Sequence, residues 1–139
     1  MTIQYQIEKD LPLKDFKKIL TDSGLGKRRP FNDGARLDLM LKNSNLVITA
    51  RFNGEIIGVA RSITDFGFTT YLSDLAVSTN YQKQGIGKEL LRQVMITAPQ
   101  ARLILNSAPQ AMEYYKKIGM QADASCFYID DINELKQRD

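Results

Sequence analysis

The chain contains no histidine, which removes Ser-His-Asp and Cys-His catalysis and the commonest zinc ligand in one step. Any acid or base must be Asp, Glu, Tyr, Lys or Cys, and no metal is expected. A single cysteine, Cys126, allows no intramolecular disulfide and suits a compartment where thiols stay reduced, so a cytoplasmic location is the expectation. No apolar run approaches the roughly 20 residues of a membrane helix. The start Met1-Thr2-Ile3-Gln4-Tyr5 lacks the charged and apolar regions of a secretory leader. No membrane partner is expected. Charge of one sign is not concentrated either: 19 basic and 16 acidic residues give +3, and only Lys27-Arg28-Arg29 forms a local basic cluster. Without a basic stripe interleaved with aromatics, no nucleic-acid partner is expected. There is no internal repeat and no low-complexity tract.

What the chain does have, 139 residues with 43% hydrophobic composition, fits a single domain over residues 1–139. Ile3, Tyr5 and Ile7 alternate with polar residues at the period of a half-buried strand. From Pro12 the period becomes helical through Leu13, Phe16, Ile19 and Leu20, with Gly24 as a stop. Leu25 to Asn32 reads as a loop, and Asn32 or Asp33 caps a second helix through Leu37, Leu39, Met40 and Leu41. Leu46 to Phe52 and Glu55 to Ile63 are β-branched runs around Asn53-Gly54, a strong hairpin signal. Tyr71 to Val77 is the next strand. A glycine turn and a helix ending near Ala98-Pro99 follow, then a strand at Arg102–Asn106 and a helix from Pro109 to Ile118 stopped by Gly119. The final strand is expected at Cys126 to Ile129, with Cys126 a small core residue, and a short terminal helix at Ile132 to Arg138. The order βααβββαβαβ argues for an α+β fold, a mixed α/β layered sheet.

The stretch Tyr71 to Gln93 joins an apolar strand to an amphipathic helix through a turn containing Gly85 and Gly87. Such a turn gathers unpaired N–H groups at the positive end of a helix dipole, which suits phosphate oxygens. Two familiar phosphate loops fail here by specific residues. A Walker A loop needs glycine at position 82 and Ser or Thr after Gly87-Lys88, where this chain has Gln82 and Glu89. The dinucleotide fingerprint needs glycine at position 90, which is Leu90, and opens a βαβ unit where this chain has a hairpin.

The run Gln82-Lys83-Gln84-Gly85-Ile86-Gly87 after a strand ending in Val77 resembles the GNAT superfamily of N-acetyltransferases, whose pattern Gln/Arg-x-x-Gly-x-Gly/Ala grips the pyrophosphate of acetyl-coenzyme A. A second segment, Ala108 to Met120, resembles the family's Ala-x-x-Phe-Tyr-x-Lys-x-Gly-Phe helix, with Tyr114 and Met120 replacing the phenylalanines. The resemblance extends more weakly to the hairpin and the start of the chain. It implies a GNAT-like acyl-coenzyme A N-acyltransferase fold with acetyl-coenzyme A as co-substrate, and it leaves room for a homodimer. Carried onto this chain, the implied cofactor-binding residues are Gln82, Lys83, Gln84, Gly85, Ile86, Gly87 and Lys88, the main chain of Leu75, Ala76 and Val77, Asn106, and Tyr115. The Val77 N–H is the implied oxyanion donor, and Tyr115 the implied general acid for the departing thiolate.

A base is less clearly marked, because Ser73 stands where many relatives carry a glutamate. Asp74 could receive the amine proton through water, although strand alternation places it on the opposite face from Ser73. Otherwise it pairs with Arg61 or caps a loop, or solvent takes the proton. Asp65 would suit a cationic amine and the arginines 28, 29, 36 and 61 a carboxylate, with Arg28 and Arg29 read as surface charges. The expected function is acetyl transfer to a primary amine of a small molecule or peptide, with a non-catalytic acyl-coenzyme A-binding domain as the alternative.

Overall fold

The hairpin signal at Asn53-Gly54 marks the centre of the architecture. Both residues adopt positive φ, 51° and 82°, and they join strand β2 (Leu46–Phe52) to β3 (Glu55–Thr64). β1 (Gln4–Ile7) pairs antiparallel with β2, and β4 (Thr69–Val77) pairs antiparallel with β3. β5 (Arg102–Leu105) adds a parallel edge, so the five-stranded sheet runs β1-β2-β3-β4-β5. The computed structural model describes residues 1–136, in two compact units: Met1–Asn106, which holds the whole sheet, and the described residues from Ser107 onward.

Helices cover both sheet faces in the first unit. α1 (Leu13–Ser23) begins after Pro12 and ends at Gly24, whose φ of 82° is the left-handed conformation that closes a helix at no Cβ cost. Its residues Phe16, Ile19 and Leu20 pack with Leu37 and Leu41 of α2 (Gly34–Lys42) and with Val47, Ile56, Val59 and Ala76 of the sheet. Each such large side chain contributes about 1.5–3 kcal/mol over an exposed one. Asp33, one of the two predicted caps, closes the start of α2 by accepting from the Arg36 N–H at 3.1 Å.

α3 (Ile86–Thr97) lies on the opposite face through Ile86, Leu90 and Val94. Gly58 is what lets it approach: a Cβ there would stand 3.0 Å from Leu90 Cδ1 and 3.3 Å from Ile86 Cγ2. Because helices lie on both faces, β2 and β3 are buried almost continuously instead of alternating.

The second unit contains a 3₁₀ turn at Pro109–Ala111 leading into α4 (Met112–Lys117), which Gly119 closes at φ 105°. The strand expected at Cys126 to Ile129 does not form. Phe127 and Tyr128 are 90% and 87% exposed, and the segment, flanked by Asp123, Asp130 and Asp131, makes no ladder. Apolar composition favours a strand only where a partner strand and a covering layer receive it. Cys126 is likewise exposed and not a core residue. Of the terminal helix, a 3₁₀ turn at Ile132–Glu134 is observed, and Arg138 lies outside the described residues.

Candidate functional site

β4 is longer than its neighbour. β5 pairs with it from Thr69↔Arg102 to Leu72↔Leu105 and then ends, while β4 continues to Val77 along β3. From Ser73 onward no strand among the described residues pairs with the β5-side edge of β4, an edge open in this sense of lacking a partner strand. The Ser78 N–H donates to the Ile57 carbonyl of β3 at 2.8 Å, and antiparallel alternation then turns the main chain of Ala76 to β3 and that of Leu75 and Val77 to the open edge. Three residues were expected to offer free main-chain groups, but Ala76 is engaged in the sheet and two remain.

The loop after β4 is pinned at both ends. The Gln82 side-chain amide donates to the Val77 carbonyl at 3.0 Å, and the Tyr81 ring sits 6.3 Å from that of Phe52. Lys83 takes a positive φ of 64° and Gly85 one of 82°, so the chain turns sharply into α3. Gly85 is the N-cap and supplies no side-chain cap, and the Glu89 N–H, bonded to the Gly85 carbonyl at 3.0 Å, is the first to find an acceptor. The N–H groups of Gly85, Ile86, Gly87 and Lys88 thus form an uncapped helix start, with the exposed Lys83 and Lys88 in the same turn of sequence. A Cβ built on Gly85 meets nothing within 4 Å, so the space beside this turn is open to an anion.

Asp74 has no free carboxylate oxygen. It is fully buried; Oδ1 accepts from Arg29 Nε at 2.6 Å and Oδ2 from Arg61 Nε at 2.5 Å. Arg61 is itself buried and donates from Nη1 to Ser44 Oγ at 2.9 Å and from Nη2 to Ser73 Oγ at 2.8 Å. Pairing with Arg61 is the structural alternative foreseen for Asp74. The expected opposition of Ser73 and Asp74 is overturned, since one guanidinium reaches both. The cause is a β-bulge: Arg61 pairs with Asp74 and Ser62 with Leu72, leaving Ser73 as the extra residue.

Arg29 is a second correction. Read as a surface charge, it instead reaches across to β4, adding an Nη2 bond to the Ser73 carbonyl at 2.8 Å. Its only sequence signal is a basic loop with no acidic residue between Ser23 and Asn32 to pair with it. Asp65 is occupied by its own turn, where Oδ1 accepts from the N–H groups of Gly67, Phe68 and Thr69 and these bonds lower its carboxyl pKa. Asn106 follows directly on β5 and is exposed. In the second unit Tyr115 is half-buried and stands edge-on to Tyr114, ring centroids 5.4 Å apart. Burial, and secondarily Tyr114, raises its phenol above the usual value of 10.0.

A family model described as an acetyltransferase (GNAT) domain matches residues 29–135, from the Asp74 partner through the glycine turn and beyond α4. The chain belongs to the GNAT acetyltransferase family. It is 29% identical over 129 residues to an uncharacterised N-acetyltransferase of Pyropia yezoensis, covering 83% of this chain and 72% of that protein. It is 31% identical over 110 residues to a histone acetyltransferase of Glycine max, covering 69% of this chain and 46% of that protein. The chain thus spans less than half of that second relative. Among solved structures, a GNAT family protein from Streptococcus pneumoniae superposes with a TM-score of 0.77 at 20% identity, covering 96% of this chain and all of that one. A GNAT fold is the mixed α/β arrangement expected from the sequence, here with five strands. Among the described residues no helix of this GNAT chain is long and apolar enough to cross a membrane.

Proposed function

We propose that this GNAT domain transfers an acetyl group from acetyl-coenzyme A directly to a primary amine of a small molecule or peptide. The observation that carries the reading is the continuity of the open edge of β4 with the uncapped start of α3. One segment offers main-chain groups for an extended amide-containing arm and, past Gln82, a positive turn for a pyrophosphate. The residues present suit the ligand: Gly85 leaves open space, the helix start leaves N–H groups unpaired, and Lys83 and Lys88 add positive charge within the same turn.

Acetyl-coenzyme A supplies an activated thioester. The amine nitrogen attacks the carbonyl carbon, the carbon–sulfur bond breaks, the nitrogen loses one proton and the thiolate gains one. In this chain the Val77 N–H faces the open edge and stabilises the oxyanion, since its carbonyl is already held by Gln82. The Leu75 main chain, two residues further from the pyrophosphate turn, completes the open edge beside the thioester. The family resemblance assigns the proton on sulfur to Tyr115; a phenol held above its usual pKa stays protonated at neutral pH. Asp74 positions Arg29 and Arg61 instead of acting as the base, because both of its oxygens are engaged in a buried pair. The amine proton leaves to solvent.

The absence of a free carboxylate on β4 favours the second reading, an acyl-coenzyme A-binding domain without efficient chemistry. Calorimetric titration with coenzyme A, run beside thiol release from acetyl-coenzyme A over an amine panel, separates the two. Tight binding with turnover that falls about 100-fold or more in Tyr115→Phe supports transfer. Binding without turnover on any amine supports the second reading, and no binding sinks both.

A further inference from the structure

We infer that the acceptor carries a carboxylate or comparable anionic group separated from its reacting amine by a spacer, and that Arg29, with Ser73, determines this specificity. The inference rests on the proposed transfer reading and names the substrate class of the same site.

Charge around the β4 bulge does not balance. Two guanidinium groups, Arg29 and Arg61, share the single Asp74 carboxylate, leaving one positive charge over at a largely buried position. Among the described residues no second carboxylate lies within salt-bridge distance of either guanidinium. Asp22 is paired with Lys18 at 2.6 Å, and the loop from Leu25 to Asn32 adds Lys27 and Arg28 with no acidic residue. Asp65, the one carboxylate expected to receive a cationic amine, is bound to its own turn.

The hydrogen-bond inventory points the same way. Arg29 has five N–H groups and uses three, on Asp74 Oδ1, the Arg28 carbonyl and the Ser73 carbonyl. One N–H on each of Nη1 and Nη2 has no acceptor among the described residues. Ser73 Oγ accepts from Arg61 Nη2, so its own hydrogen is left to donate, and it too has no acceptor there. Both side chains are part-exposed, Arg29 at 21%. The surface they present is positive and rich in unused donors, the condition under which a planar oxyanion is bound by a guanidinium fork.

Its place along β4 ties this surface to the transfer. Ser73 is the first residue beyond the last β4–β5 pair, so the Arg29 guanidinium caps the open edge. At about 3.3 Å per residue, Leu75 lies about 7 Å and Val77 about 13 Å further along the strand. An acceptor anchored by its anion at Arg29 lays its amine toward the thioester held along that edge. Arg29 is a recognition group only; the bonds made and broken are those of the amine–thioester exchange above.

Matched acceptor pairs differing only by the carboxylate test this: 8-aminooctanoate against heptylamine, 6-aminohexanoate against pentylamine, and lysine, through its side-chain amine, against cadaverine. In the unaltered protein the carboxylate-bearing member is expected to have at least a 10-fold higher kcat/KM, and Arg29→Gln to bring that ratio close to one. Arg29→Lys should restore part of it, and the Kd for coenzyme A of each variant monitors an intact fold. Preference for the decarboxylated amines, or a carboxylate preference that survives in Arg29→Gln, overturns the proposal. Calorimetric titration of the coenzyme A-loaded protein with N-acetyl-8-aminooctanoate and with N-acetylheptylamine supplies a readout independent of turnover. Selective, Arg29-dependent binding of the former with no turnover would leave the anion site standing and the transfer reading fallen; equal binding of both overturns the site.

Discussion

The Gln82 side-chain amide donates to the Val77 carbonyl at 3.0 Å, and so ties the end of β4 to the loop that opens α3. The two halves of the proposed coenzyme A site, the open strand edge and the uncapped helix start, are held in one frame by this bond. Gln82→Ala should weaken coenzyme A binding about threefold to tenfold, the worth of one partly exposed hydrogen bond, with little change in thermal midpoint. Isothermal titration against the unaltered protein measures it; an unchanged Kd would mean that the loop keeps its shape without the bond.

Gly58 sets the height of α3 above the sheet. An alanine there has to displace the end of the Leu90 side chain and Ile86 Cγ2 by a few tenths of an ångström, and should cost about 1 kcal/mol. Gly58→Val adds two methyl groups in the same place and presses harder on Ile86, the first residue of α3, so it should destabilise by about 1–3 kcal/mol. Because Ile86 belongs to the turn, the coenzyme A Kd of Gly58→Val should rise as well. Urea denaturation and titration of the two variants give both quantities.

Asp74 lies between two guanidinium groups, which predicts a stability effect of a size that a solvent-facing base would not produce. Asp74→Ala leaves Arg61 buried without its counter-charge and should cost about 3–5 kcal/mol in urea denaturation. A loss of turnover with no loss of stability would instead return Asp74 to the role of base.

Glu8 supplies a pH dependence. Burial raises its carboxyl pKa, but hydrogen bonds from Arg51, Thr49 and Gln6 and the Arg51 charge outweigh burial and bring it to about 2, from an ordinary 4.5. A carboxyl lowered on folding stabilises fully above its unfolded value and progressively less as pH falls from about 4.5 toward 2. The contacts tie β1 to β2 and α1, since Arg51 also meets Asp15 at 2.9 Å. Glu8→Gln should therefore be less stable than the unaltered protein at pH 7, and the gap should narrow through pH 4 to 3. Urea midpoints measured over pH 3–7 check the sign.

Much of the fold was legible because it is written locally. Asn53-Gly54, Asp33, Gly24 and Gly119 each mark a turn or cap that the structure contains, since positive φ and side-chain capping depend on the residue and its immediate neighbours. The glycine turn was legible for the same reason, and with it an anion site. Cys126 to Ile129 shows the converse: its composition suits a strand, but a strand exists only if another chain segment pairs with it, and local composition carries no such information.

The sequence by itself determined the family, the turn that can hold a pyrophosphate, and the exclusion of histidine chemistry, because these depend on residue type and spacing along one segment. Only the tertiary structure decided the company of Asp74. Arg29 is 45 residues away and Arg61 13, and the bulge that turns Ser73 to the same guanidinium arises from the register between two strands. The sharing of one carboxylate by two arginines is a property of the packed sheet, and no window of sequence contains it.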